Sequence, residues 1–186
     1  MRRDELAHLL RAAATISNDP QILVVGSQAI LGTHHEDDLP EDAWLSIEAD
    51  LAFFEDPDEL KAIAVDGEIG EDSRFHQQHQ YYAQGVDVTV AVLPAGWRDR
   101  IVRFDDRTAD PAQAYCLEKH DLVVSKLVAG REKDSGFAMA LIEADLVDPQ
   151  TLLVRLRMLP AEYGVQRERA ILWLDAACAK LGRGWR

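Results

Sequence analysis

Ser46-Ile47-Glu48-Ala49-Asp50-Leu51 alternates in residue type, and its reading decides the fold. In a strand, Ser46, Glu48 and Asp50 face one way while Ile47, Ala49 and Leu51 face the other. Upstream, the apolar run Ile22-Leu23-Val24-Val25 ends at Gly26-Ser27, a strand running into a turn. Downstream, Gly85-Val86-Asp87-Val88-Thr89-Val90 sets three valines on a buried face and Asp87 on the polar one. If the two carboxylate strands are neighbours, Glu48, Asp50 and Asp87 converge on one patch. Three carboxylates repel one another unless a cation fills the patch, and hard divalent ions prefer oxygen ligands. The expected cofactor is Mg2+ (or Mn2+), held by all three acids.

The rest of the chain is read outward from these strands. Asp4 to Ile16 carries apolar residues at helical spacing and stops before Ser17-Asn18-Asp19-Pro20. Gln21 to Val25 is a short buried strand, and Ser27 is placed to cap a short helix, Gln28 to Leu31. Trp44 to Phe54 is the next strand, and Pro57 to Ala64 a helix with Asp56 near its start. A loop and hairpin strand fill Gly67 to Gly85. Val86 to Leu93 is read as a central strand and Arg100 to Phe104 as an edge strand. After Pro111 the pattern is helical: Glu118 to Gly130, Ser135 to Ala144, Pro149 to Leu159 and Val165 to Leu181. The expectation is an α+β fold in which residues 1–107 form an αβ core with a small mixed twisted sheet. Residues 108–186 form a helical C-terminal part packed on it.

Composition narrows the function classes. The chain has 186 residues, 47% hydrophobic and 28% charged, an ordinary globular balance. Its formal net charge is -13, which argues against an extended duplex footprint. Cys116 and Cys178 form no metal-ligand spacing and read as buried free thiols. Neither His34-His35 nor His76-x-x-His79 has a cysteine nearby to complete a soft-metal site. The first residues lead into an amphipathic stretch rather than an apolar signal core, and no segment is long enough to span a bilayer. A cytoplasmic protein without a membrane partner is expected.

A glycine-serine turn, an acidic pair spaced Glu-x-Asp and a third acid further on resemble the minimal nucleotidyltransferase fold of the DNA polymerase β superfamily. Within it, the chain is similar to the bacterial MNT-like and AbiEii-like branch. Leu93-Pro94-Ala95-Gly96-Trp97-Arg98-Asp99-Arg100 and His120-Asp121-Leu122-Val123-Val124-Ser125-Lys126-Leu127-Val128-Ala129-Gly130-Arg131-Glu132-Lys133-Asp134 also resemble recurring segments of one group in that branch. The resemblance spans about residues 20–157. It implies transfer of a nucleoside monophosphate from a nucleoside triphosphate to a hydroxyl, a two-ion in-line displacement at phosphorus. Glu48 and Asp50 would hold the triphosphate-bound ion, while Asp87 would help hold the second and accept the hydroxyl proton. Gly26 would let the backbone approach the phosphates, and Ser27 would donate to them.

Lys126, Gly130 and Lys133 are read as one helix face. Lys126 is the first candidate for contacting the triphosphate as a point charge, Arg131 and Lys133 the second, with Asp134 orienting them. The alternative for Lys126 is a salt bridge to Asp121, Glu118 or a core acid. The acceptor is an RNA 3′ end such as that of tRNA, a protein side chain or a small molecule. A toxin–antitoxin or phage-defence setting with a partner protein is implied by the resemblance alone. Many relatives carry Asp-x-Asp where this chain has Glu48-x-Asp50, and the usual basic residue after the Gly-Ser turn is missing here. Those departures favour the rival reading, a catalytically inactive nucleotide-binding or antitoxin-like interaction module. Each motif alone has an ordinary structural explanation; their joint order carries the resemblance.

Overall fold

The computed structural model describes residues 1–182. Helix α1 (Arg3–Ser17) opens with Asp4 and Glu5, acids that suit the positive end of a helix, and buries Leu6, Leu9, Leu10 and Ala13. Asn18 ends it in the left-handed conformation and turns the chain into β1 (Gln21–Val24). Four further strands follow: β2 (Glu48–Phe53), β3 (Tyr82–Gly85), β4 (Val102–Arg103) and β5 (Gln113–Cys116). They form one sheet in the order β3-β2-β1-β5-β4. β1 runs antiparallel to β2 and parallel to β5; β2 and β3 are parallel, and β4 is antiparallel to β5. Ile22, Leu23 and Val24 of the central strand are fully buried.

Between β2 and β3 the chain makes α3 (Leu60–Ile69) and α4 (Arg74–His79), which follow a short α2 (Glu41–Trp44) before β2. A parallel neighbour needs a crossover of this kind, whereas an antiparallel one needs only a tight turn. The expected hairpin strand before Gly85 is therefore the return leg of a β-α-β crossover. Trp44 belongs to α2 rather than to the strand, and α3 begins three residues later than the spacing predicts. Asp56 caps its approach, its carboxylate accepting from the Lys61 and Ala62 amides at 3.1 and 3.0 Å.

The largest departure lies at residues 86–93. No central strand forms there; Val88–Val90 is a single 3-10 turn. The last bond to the sheet is the Val86 amide donating to the Leu51 carbonyl at 2.9 Å. Asp87 then accepts from the Thr89 amide at 2.6 Å and closes the turn locally. The valine-rich composition favours a strand, but β2 ends at Phe53 and leaves these residues no partner. Conversely, a strand is present where helix was expected to take over. β5 sits between β1 and β4, so the sheet draws on residues beyond 107.

The C-terminal helices are α5 (Lys119–Ala129), α6 (Glu132–Glu143), α7 (Pro149–Arg157) and α8 (Gly164–Lys180), each within a few residues of its predicted span. Gly130 is left-handed (φ 69°) and terminates α5. Lys133 therefore stands on α6, not on the helix face of Lys126. Asp121 of α5 is 1% exposed and meets Arg100 Nε at 2.8 Å and Arg155 Nε of α7 at 3.4 Å. Cys116 and Cys178 are both buried, and burial pushes the Cys116 thiol up to about 12. Among the described residues no helix is long and apolar enough to cross a membrane.

Candidate active site

The first half of β2 carries the site. Glu48 and Asp50 are half-buried on one face, while Ala49 and the following Leu51, Ala52 and Phe53 are buried. Gly26, two residues past the end of β1, lies directly against Asp50. A β-carbon at Gly26 would sit 2.6 Å from Asp50 Cγ and closer still to Oδ2. Gly26 has an ordinary φ of -83°, so glycine is required here by this close approach and not by backbone conformation. Gly26 caps the 3-10 turn Ser27–Gly32 through its backbone only; the expected hydroxyl cap from Ser27 is not made.

Across from β2, the parallel register pairs Glu48 with Tyr82 and Asp50 with Gln84. Paired residues share a sheet face, so Gln84 occupies the position that the third carboxylate was expected to take. Asp87 does not reach the acid pair. It lies three residues past Gln84, beyond the end of β3 at Gly85, in the turn that its own carboxylate closes. It lines a surface hollow with Phe53, Phe54, Glu55, Asp56, Pro57 and Val88. Among the described residues no group of three or more His, Cys, Asp or Glu side chains is arranged to hold a metal ion.

Helices α5 and α6 bring the cations to Asp50. A hollow of about 260 Å3 is lined by Gly26, Asp50, Gln84, Ser125, Lys126 and Arg131, among others. Lys126 is 11% exposed and pairs at 3.6 Å with Asp134, itself 2% exposed, which also accepts from Arg131 Nε at 2.7 Å. Of the two alternatives for Lys126, the ion pair is present, with Asp134 as partner. It coexists with a place in the site wall. Ser27 and Lys133 line an adjoining hollow of about 170 Å3 with Asp42, Ser46 and Asp134. On the other side of Gln84, a hollow of about 400 Å3 is lined by Glu48, Asp66, Glu71, Tyr82 and Gln84. Glu48 and Asp50 thus lie between a basic hollow and an acidic one.

The proton affinities follow this layout. Burial, and then Asp50, raise the Glu48 carboxyl. Burial raises Asp50 as well, against the pull of Lys126, Arg131 and Lys133. Burial lowers Lys126, although Asp134 and Asp50 favour its charged form. Burial also works to raise Asp134, but Arg131 and Lys126 outweigh it and hold that carboxyl low. Two partly desolvated carboxylates that hold protons too tightly are a place where a cation would be stabilised. The donor set fits one hard divalent ion at Glu48 and Asp50, its remaining positions open to substrate or water oxygens. It does not supply the third carboxylate on which a two-ion arrangement was expected to rest.

Gln84, Asp66 and Glu71 were not singled out in the sequence. The signal for Gln84 was the alternation Tyr82-Ala83-Gln84, with Ala83 alone buried. No curated protein and no solved structure matches the chain. A family model described as "Nucleotidyltransferase of unknown function (DUF6036)" matches residues 4–169, a span that includes the acid pair, Gln84 and the lysine-bearing helix. By that match the chain belongs to this nucleotidyltransferase family.

Proposed function

We propose that the protein transfers a nucleoside monophosphate from a nucleoside triphosphate to a hydroxyl acceptor. One observation carries the reading: the Asp50 carboxylate, the Gly26 backbone and the Lys126 and Arg131 cations line one hollow. The triphosphate lies in this basic hollow, with Lys126 and Arg131 neutralising its oxygens. Asp134 holds both cations in place, and the Gly26 backbone leaves room for the phosphates beside Asp50. Lys133 and Ser27 serve from the adjoining hollow. Glu48 and Asp50 would hold a divalent ion, Mg2+ or Mn2+, which would supply charge stabilisation at the reacting phosphorus. In the reaction the acceptor oxygen bonds to the α-phosphorus as the bond to pyrophosphate breaks, and the hydroxyl proton is released.

The acidic hollow beside Glu48 and the net charge of -13 support a protein side chain or small molecule as acceptor over an RNA end, whose phosphates would be repelled there. The test is incubation with labelled nucleoside triphosphates and Mg2+, with and without cell extract, beside Asp50→Ala. Label appearing on an extract component with the wild type alone supports the reading, and no label in either sinks it. Fractionating the extract would identify the acceptor. It would also show whether a partner protein of the toxin–antitoxin or phage-defence kind takes the label.

The position of Asp87 favours a second reading, an inactive nucleotide-binding or interaction module. The C-terminal helices expose Val154, Val165 and Leu172, the latter two on one face of α8. Nucleotide binding by equilibrium titration without any transfer, together with co-elution of a neighbouring-gene product, would select it.

A further inference from the structure

Resting on the metal-binding reading of Glu48 and Asp50, we propose that Gln84 is the third protein ligand of that site, a neutral one. Three observations support it. The strand register places Gln84 directly opposite Asp50 on the same sheet face. Gln84 lines both the basic hollow with Asp50 and the acidic hollow with Glu48, so its side chain borders the acid pair on both sides. Finally, β3 is held at this register from behind. A β-carbon at Gly85 would lie 2.6 Å from the Ala62 carbonyl carbon, and the Gly85 amide donates to Asp66 Oδ1 at 2.7 Å. The strand therefore cannot slide to bring Asp87 opposite Asp50 without driving a side chain into α3.

An amide oxygen is a competent ligand for a hard cation, and its two N–H groups remain free to donate to an adjacent phosphate or hydroxyl oxygen. A neutral third ligand leaves the protein donor set at two negative charges instead of three. Unligated repulsion is then smaller, and the cation retains more positive character for a bound phosphate. The proposal also explains why Glu48 and Asp50 stand together without a third acid.

Mn2+ binding to the protein without nucleotide, followed by electron paramagnetic resonance or calorimetry, tests it. The series is wild type, Asp50→Asn, Gln84→Ala and Gln84→Glu, each with a thermal melt. Wild type should bind and Asp50→Asn should not. Gln84→Ala should weaken binding at least about 10-fold, since loss of even a group that only orients a metal ligand typically costs roughly 10- to 100-fold. Gln84→Glu, with a full charge at that position, should bind more tightly than wild type. Because Gln84 is exposed, Gln84→Ala should not shift the melt, whereas Gln84→Glu adds a third carboxylate and should lower the metal-free melt. Wild-type affinity in Gln84→Ala, or weaker binding in Gln84→Glu, would overturn the assignment of Gln84 while leaving the acid pair intact. Absence of binding in the wild type would overturn the metal reading itself, and Gln84 with it.

Discussion

Gly26→Ala isolates the position of one carboxylate from the stability of the fold. The added methyl group would sit 2.6 Å from Asp50 Cγ and 3.0 Å from its Cβ, where contacts tighter than 3.4 Å force a neighbour to give. Cγ must therefore recede by about 0.8 Å, the difference between 3.4 and 2.6 Å, and the carboxylate oxygens beyond it by more. A side-chain rotation of Asp50 can supply most of this, since the colliding atoms lie at the end of a flexible group. The backbone at Gly26 has an ordinary φ, and alanine also narrows the unfolded ensemble, an effect worth about 0.4–1 kcal/mol in favour of folding. Stability should stay within about 1 kcal/mol of wild type, roughly 2–4 °C for a chain of this size. Function should not. Misplacing a reacting group by about 1 Å typically reduces rate on the order of 100-fold. Mn2+ titration, transfer of labelled nucleotide and a thermal melt measure the three quantities side by side. If Gly26→Ala keeps wild-type Mn2+ affinity and transfer, the Asp50 carboxylate is not where the chemistry happens. A melt lowered by many degrees would instead mean that the backbone yields, and the displacement reasoning fails.

Asp87→Ala should leave Mn2+ affinity unchanged and lower stability by about 0.5 kcal/mol, the loss of one exposed turn-capping bond; a metal-binding defect would restore Asp87 to the site. Asp134→Asn leaves Lys126 beside a neutral group, and breaking a buried pair this way should remove about 3 kcal/mol, roughly 6–12 °C in the melt. A melt unchanged by Asp134→Asn would show that the pair does not hold Lys126. Asp50→Asn should raise the melting temperature at pH 7. Asp50 binds its proton more tightly in the folded protein than in the unfolded chain, where the ordinary value is 3.8. Its charge therefore opposes folding above that value, and the gain from removing it fades as pH falls toward 3.8. A gain of equal size at pH 7 and pH 3.8 would contradict this origin.

The helices of the C-terminal part were legible because their apolar residues recur at helical spacing, and Pro149 marks the start of α7. Glu48 and Asp50 were legible because alternation forces them to one face wherever the strand pairs. Asp87 was misplaced because alternation fixes a face only where a strand forms, and β3 ends at Gly85 in a register that sets Gln84 opposite Asp50. The register here is set by tertiary packing of Gly85 on α3, which no local pattern encodes. β5 escaped because Gln113-Ala114-Tyr115-Cys116 is short and weakly alternating, and its place between β1 and β4 is decided by distant partners. Lys126 could be picked out as a charge within an apolar helix. Its partner Asp134 was identified only as a neighbour of the basic residues, because the turn at Gly130 that brings α6 back beside α5 is a matter of three-dimensional path.

Asp121 lies five residues before Lys126 on α5 and is clasped by Arg100, from the segment ahead of β4, and by Arg155 of α7. A single carboxylate thus joins three distant stretches of the chain, and removing it would leave two arginines facing each other without a counter-charge. Partial opening of either half exposes the same deficit, so heat should dismantle the protein in one cooperative step rather than peel the helices from the sheet. The same clasp fixes the helix that presents Lys126. The lysine is ordered when the chain folds, and under the proposed function an incoming triphosphate would meet a cation already in position.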